Sequence, residues 1–256
     1  MLTRLMGLGS VTEPAIWGKL PAHADFVRSR VRHGESDGWT HWLADVKAPS
    51  GDAGKPTGMR GGVPVAFLLP PGALPFATRR FVLGVIAPSV DRVGRRHPLL
   101  VYQLARAAWV IRHFTPPRSR DWLFWLARAV ALHGQRAAPA DIQSLQAWVQ
   151  GLWQLHDLAQ ATPRPLPRGE PGETSSRLSQ DAIFEHEAEC FLDARAGVAP
   201  VDGVASSLQG VRCFPWVDWP QRLVGPRPAA AFWQQDARGG YVNAADGLQQ
   251  LWSAVS

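Results

Sequence analysis

The chain has little cysteine: Cys190 and Cys213 are the only two in 256 residues. Two cysteines make no disulfide framework, which argues against a stapled secreted scaffold and makes a reducing, cytoplasmic setting the simplest expectation. No apolar run reaches the roughly 18 residues that a bilayer span needs. The N-terminal MLTRLMGLGSVTEPA is weakly apolar but lacks an h-region of about 7–15 residues, so residues 1–14 are expected to form a flexible leader and not a signal peptide. Lys19 follows Gly18, yet GxxxxGK[ST] is absent and with it a Walker A loop. There is no zinc finger, Lys/Arg helix, aromatic RNA-binding motif or internal repeat.

What is present is a globular composition, 46% hydrophobic and 19% charged. The length suits one large domain or a domain with an appendage. The net charge of +6 is uneven: residues 1–120 carry 17 Lys and Arg against 7 Asp and Glu. A basic balance alone suggests nucleic acid or an anionic membrane. The arginines are scattered among strands and loops, so partial neutralisation by the acidic second half is the simpler use of the asymmetry.

The chain is organised around Phe81–Tyr102. Phe81–Ala87 and Leu99–Tyr102 are apolar, largely β-branched runs bounded by Pro and Gly, which predicts strands buried on both faces. The intervening segment runs from Pro88 to Pro98, and the two prolines restrain its ends. Gly94 is placed for a backbone angle that other residues avoid, and Ser89 or Asp91 for capping exposed N–H groups. Arg92, Arg95 and Arg96 surround Asp91. One reading is that Asp91 pairs with Arg92 or Arg95 and orders the turn. The sharper reading is a docking surface for an acidic or phosphorylated partner, with Asp91 paired to Arg92 and with Arg95 and Arg96 free.

Elsewhere the patterning predicts a strand over 15–20, an exposed strand over 26–31, and a helix capped by Ser36 whose buried face carries Trp39, Trp42, Leu43 and Val46. Residues 48–62 read as a loop and 63–69 as a buried strand. A helix opened by Ser119 or Asp121 runs to Leu132, and a long one covers 140–161. Residues 162–179 read as a Pro-rich linker or loop. Beyond it lie an acidic helix over 181–195, strands over 211–217 and 229–235, and a last helix capped by Asp246. This region, 180–256, is expected either to extend the same domain or to form a small appendage.

APSVDRVGRRHPL, ending at Leu99, resembles the MPSVDRVGRYFPL signature of the type VI secretion-associated TagF (ImpM) family. Trp17-Gly18-Lys19-Leu20-Pro21 followed by Asp25-Phe26-Val27 resembles that family's WYGKLPxxGDFV opening. Val63-Pro64-Val65, Phe67 and Pro70-Pro71-Gly72 resemble its PVWRFxLxPG segment. Ala24 stands where the family has Gly, and His97 where it has an aromatic. The resemblance implies a three-layer α/β fold over roughly 15–161: a central mixed, largely antiparallel sheet with helices on both faces. It further implies a cytoplasmic, non-enzymatic accessory factor that represses assembly of the secretion apparatus post-translationally by engaging a forkhead-associated-domain protein. The residues it points to are Trp17, Gly18, Lys19, Leu20, Pro21, Asp25, Phe26, Pro88, Ser89, Asp91, Arg92, Gly94, Arg95, Arg96 and Pro98.

Two distant motifs of complementary charge should meet, so Lys19, Asp25, Asp91 and Arg92 are expected to cluster, with a Lys19 or Arg92 side-chain nitrogen near a carboxylate of Asp25 or Asp91 and Lys19–Asp25 as a candidate ion pair. The alternative function is an enzyme acting on an anionic substrate at Ser89, Asp91, Arg92 and Lys19. His186 and Cys190 share a helix face at zinc-ligand spacing, but no second ligand pair stands nearby. A solvated acidic helix with one buried thiol is the plainer expectation. No metal or cofactor is expected, nor nucleic acid as a partner.

Overall fold

The computed structural model describes residues 10–46, 64–114, 122–136, 139–161, 173–197, 216, 218–219, 221–235 and 241–253. Seven strands form one sheet: β1 Ala15–Gly18, β2 Val27–Ser29, β3 Val65–Leu69, β4 Phe81–Ala87, β5 Leu99–Ala105, β6 Ala231–Gln235 and β7 Tyr241–Ala245. Their order is β2-β1-β5-β4-β3-β6-β7. Every pairing among the described residues is antiparallel, in keeping with the largely antiparallel central sheet expected. The described helices are α1 Glu35–Asp45, α2 Ala107–Phe114, α3 Trp122–Gly134, α4 Ile142–Ala161, α5 Glu173–Ala196, α6 Gln221–Val224 and α7 Leu248–Ser253.

Alternation along the strands divides the core in two. Trp17, Phe67, Ile86, Tyr102 and Phe232 face one side and pack with Trp39 of α1 and Leu248 and Leu251 of α7. Ile16, Leu68, Leu83, Val85 and Val101 face the other, against α2 to α5. Helices on both faces explain why β3 and β4 read as unbroken apolar runs and β5 as one interrupted only by Gln103: each of their residues is buried. Two pairs of polar groups in these layers are closed internally. The Tyr102 hydroxyl donates to Glu35 Oε2 at 2.8 Å, and the Trp122 indole donates to Gln103 Oε1 at 2.6 Å.

Several local expectations change. Residues 10–14 of the leader are pinned along β5: the Thr12 amide donates to Leu104 O at 2.9 Å, and Val11 bridges Ala105. The first helix is not capped by Ser36. It starts after Gly34 at φ 80°, and its Glu35 carboxylate turns back to accept from the Arg32 amide at 3.0 Å. The strand expected over 26–31 keeps only Val27–Ser29, because Arg30 takes a left-handed φ of 58°. Residues 173–179, taken as linker, are the first turns of α5, and Cys190, taken as a buried thiol, is exposed. The region past residue 180 adds β6 and β7 to the sheet, with β6 paired to β3. The 48–62 loop, Ser119, Asp121, Cys213 and all of 211–217 except Trp216 lie outside the described residues. No described helix is long and apolar enough to cross a membrane.

Candidate functional site

Strand polarity brings the two motifs to one end of the sheet. β1 ends where β5 begins, with Trp17 opposite Leu100, while β4 ends at Ala87 beside Leu99. The β1–β2 turn (19–26) and the β4–β5 loop (88–98) therefore emerge side by side. Gly18 lets them come close: a Cβ there would sit 2.3 Å from the Pro98 carbonyl oxygen, and its φ is 138°.

The β4–β5 loop is itself a small hairpin. His97 N donates to Ser89 O at 3.1 Å, Val90 bridges Arg96, and Asp91 N donates to Arg95 O at 3.0 Å. At the tip the Gly94 amide closes a turn onto Asp91 O at 3.0 Å, with Gly94 at φ 84°. A turn followed by glycine in the left-handed region is the three-residue hairpin solution. Asp91 reinforces it as an Asx turn, its Oδ1 accepting from the amides of Val93 at 3.0 Å and Arg95 at 2.8 Å.

The other carboxylate oxygen joins the loops. Asp91 Oδ2 accepts from Lys19 Nζ at 2.9 Å and from Arg95 Nε at 2.7 Å. The Asp91 side chain is fully buried and Lys19 nearly so. Burial would push the Asp91 carboxyl up; the hydrogen bonds from Lys19, Arg95 and Val93 outweigh it and hold the group well below the usual carboxylate range. Further ties run alongside. Ser89 Oγ donates to Lys19 O at 2.6 Å, Arg92 N to His23 O at 2.8 Å, and the Arg95 guanidinium to Ala24 O. Ala22 N in turn donates to Ala140 O at 3.1 Å, and Ile142 N to His23 Nε2 at 3.2 Å, which fixes the turn to the start of α4.

An aromatic cluster seals the junction. The Trp17 and Phe26 rings stack 5.4 Å apart, and His97 stands edge-on to both, at 5.0 and 4.6 Å. His97 thus takes up the aromatic packing expected of the residue it replaces. Its Nδ1 donates to Pro98 O at 2.7 Å. Burial lowers the imidazole from its ordinary 6.5, and the Lys19 charge adds to this against the opposing Pro98 hydrogen bond. A cleft of about 270 Å³ beside the cluster is lined by Trp17, Asp25, Phe26 and Arg28 and, on α1, by Ser36, Asp37 and Thr40.

The motif residues from Trp17 to Pro21, with Phe26, thus gather with those from Pro88 to Pro98, as expected. Of the pairings the sequence left open, the structure takes one at each position. Lys19 binds Asp91 and not Asp25, whose Oδ1 accepts from the adjacent Phe26 amide at 2.8 Å. Asp91 binds Arg95 and not Arg92, because a residue four positions on returns along the hairpin beside it, whereas Arg92 sits in the turn. His23, Val90 and Val93 escaped the sequence reading, having no charge pattern to mark them. His186 and Cys190 lie close, with Sγ 3.7 Å from Nε2. Among the described residues no group of three or more His, Cys, Asp or Glu is placed to hold a metal.

Residues 15–152, more than half the chain, match the family model of the TagF N-terminal domain, type VI secretion system-associated. The chain belongs to the TagF family. Both loops of the site lie inside the matched TagF region. No curated protein matches the chain. Among solved structures, the crystal structure of PA0076 from Pseudomonas aeruginosa PAO1 aligns over 93% of each chain at 19% identity with a TM-score of 0.38. That likeness is too distant to give any residue of this TagF chain a role.

Proposed function

We propose that this TagF chain is a cytoplasmic, non-enzymatic regulator of type VI secretion that acts by binding a protein of the apparatus, a forkhead-associated-domain protein, and so represses assembly. Family membership supports the association with type VI secretion. The observation that carries the binding reading is the occupancy of the site's reactive groups. Asp91 accepts four hydrogen bonds, and the Ser89 hydroxyl is spent on a backbone carbonyl. A general base needs a free lone pair within reach of its proton, and a nucleophile needs a base beside it. Asp91 and Ser89, the acid–nucleophile pair of the enzymatic alternative, offer neither. The loop offers a rigid platform, and rigidity lowers the entropic cost of association.

Two measurements on the purified protein test this. Co-purification and calorimetric titration with the forkhead-associated-domain protein should give a stoichiometric complex. Phosphoester turnover should stay at background, and turnover that disappears with Ser89→Ala would replace the binding reading with the enzymatic one.

A further inference from the structure

Four large apolar side chains are conspicuously exposed among the described residues: Phe26 at 40%, Val90 at 37%, Val93 at 64% and Ile111 at 40%. Three of the four belong to the paired loops. Val93 occupies the hairpin tip, a position that turns usually give to polar residues, and its side chain contributes little to the fold from there. Phe26 packs on Trp17 and His97, whereas Val90, paired with Arg96, alternates to the other side of the hairpin. Exposed apolar groups on one short hairpin, as Val90 and Val93 are, mark contact surfaces. Between and beside them stand Arg92 and Arg96, both exposed and without an ion-pair partner among the described residues. Arg95 is different: it is committed to Asp91 and Ala24.

We propose that Val90 and Val93, flanked by Arg92 and Arg96, form a docking face for a protein surface that presents Asp or Glu carboxylates around an apolar centre. This rests on the binding reading above and specifies its face. Charge complementarity selects the acidic partner, and the two exposed valines select a protein over a simple anion. A phosphate-specific pocket would converge several donors in a concavity. The nearby cleft is lined by no hairpin residue and includes Asp25 and Asp37, whose carboxylates would repel a phosphate. Nucleic acid fits poorly with Val93 leading the tip.

The test uses the full chain, isotope-labelled for amide-resolved NMR, with three probes: the forkhead-associated-domain protein, a synthetic peptide alternating Glu and Leu, and a phosphothreonine peptide. The proposal expects the first two to shift the amides of Val90–Arg96. It expects Arg92→Glu with Arg96→Glu, and separately Val93→Asp, each to weaken binding at least about tenfold while the spectrum elsewhere stays native. If the forkhead-associated-domain protein binds and both variants bind as wild type, the face is refuted and the binding reading survives. If that protein does not bind but the acidic peptide does so here, the face stands with a different partner. Silence from both probes refutes the face, as does tighter binding of the phosphothreonine peptide than of the acidic one.

Discussion

Lys19→Met probes the joint between the two loops. The substitution keeps an unbranched, flexible apolar stem in the same space and deletes the ammonium that sits 2.9 Å from Asp91 Oδ2. The Asp91 carboxylate would then remain fully buried with three donors, the amides of Val93 and Arg95 and the Arg95 Nε. Removing one partner of a buried ion pair costs about 3–5 kcal/mol, and the remaining guanidinium contact places this case near about 3 kcal/mol. At about 2–4 °C per kcal/mol for a chain of this size, thermal unfolding should drop by about 6–12 °C. Differential scanning calorimetry reads the shift, and hydrogen exchange locates it: Val93, Gly94, Arg95 and His97 amides should lose protection before the central strands do. The partner control is Lys19→Met with Asp91→Asn, in which no uncompensated charge remains. The double variant should be more stable than the sum of the single losses implies. A melting temperature within about 2 °C of wild type for Lys19→Met would refute the idea that this pair locks the loops.

Other variants address other joints. Gly18→Ala forces a Cβ against the Pro98 carbonyl at a φ that side chains rarely adopt; it should cost about 3 kcal/mol or more by thermal melt and reduce soluble yield. Tyr102→Phe leaves the Glu35 carboxylate buried with one donor fewer and should cost about 1.5–3 kcal/mol in denaturant unfolding. Burial lowers His97 and His133 from 6.5, so the unfolded chain binds more protons than the folded one below that value. Their contribution is complete above pH 6.5 and declines as pH falls below it, and Asp91, held low, adds its own loss below its ordinary 3.8. His97→Phe should remove part of the first decline in a series of melts across pH while preserving the aromatic cluster; an unchanged profile would show that His97 is not responsible.

The sheet was legible where strands are buried on both faces. Phe81–Ala87 and Leu99–Tyr102 carry no polar residue to confuse the period, and the hairpin between them follows from Asp91 and Gly94. Elements with mixed signals were missed. Helix α2 follows β5 without a breaking Gly or Pro, and its Val110 and Ile111 resemble strand residues. Strand β7, YVNAA, is poor in β-formers and holds its place by pairing with β6. At the site, the motifs told which residues meet but not who pairs with whom. Lys19 lies nearer in sequence to Asp25, yet the buried carboxylate is Asp91, and burial is decided by the sheet. Whether Arg92 or Arg95 pairs with Asp91 stays open in the sequence because adjacent arginines look equivalent in a string. The hairpin distinguishes them by turning Arg95 back onto Asp91 and leaving Arg92 and Arg96 in water.

The central claim is that the locked pair of loops is the face through which this TagF chain binds its partner, and a hydrogen-exchange footprint tests it most directly. Exchange would be followed on the full chain alone and with saturating forkhead-associated-domain protein. The account predicts new protection over His23–Arg28 and Ser89–His97, with the already protected strands β3 to β5 unchanged. Protection confined to another surface, such as the exposed side of α5 around His186 and Cys190, would contradict it.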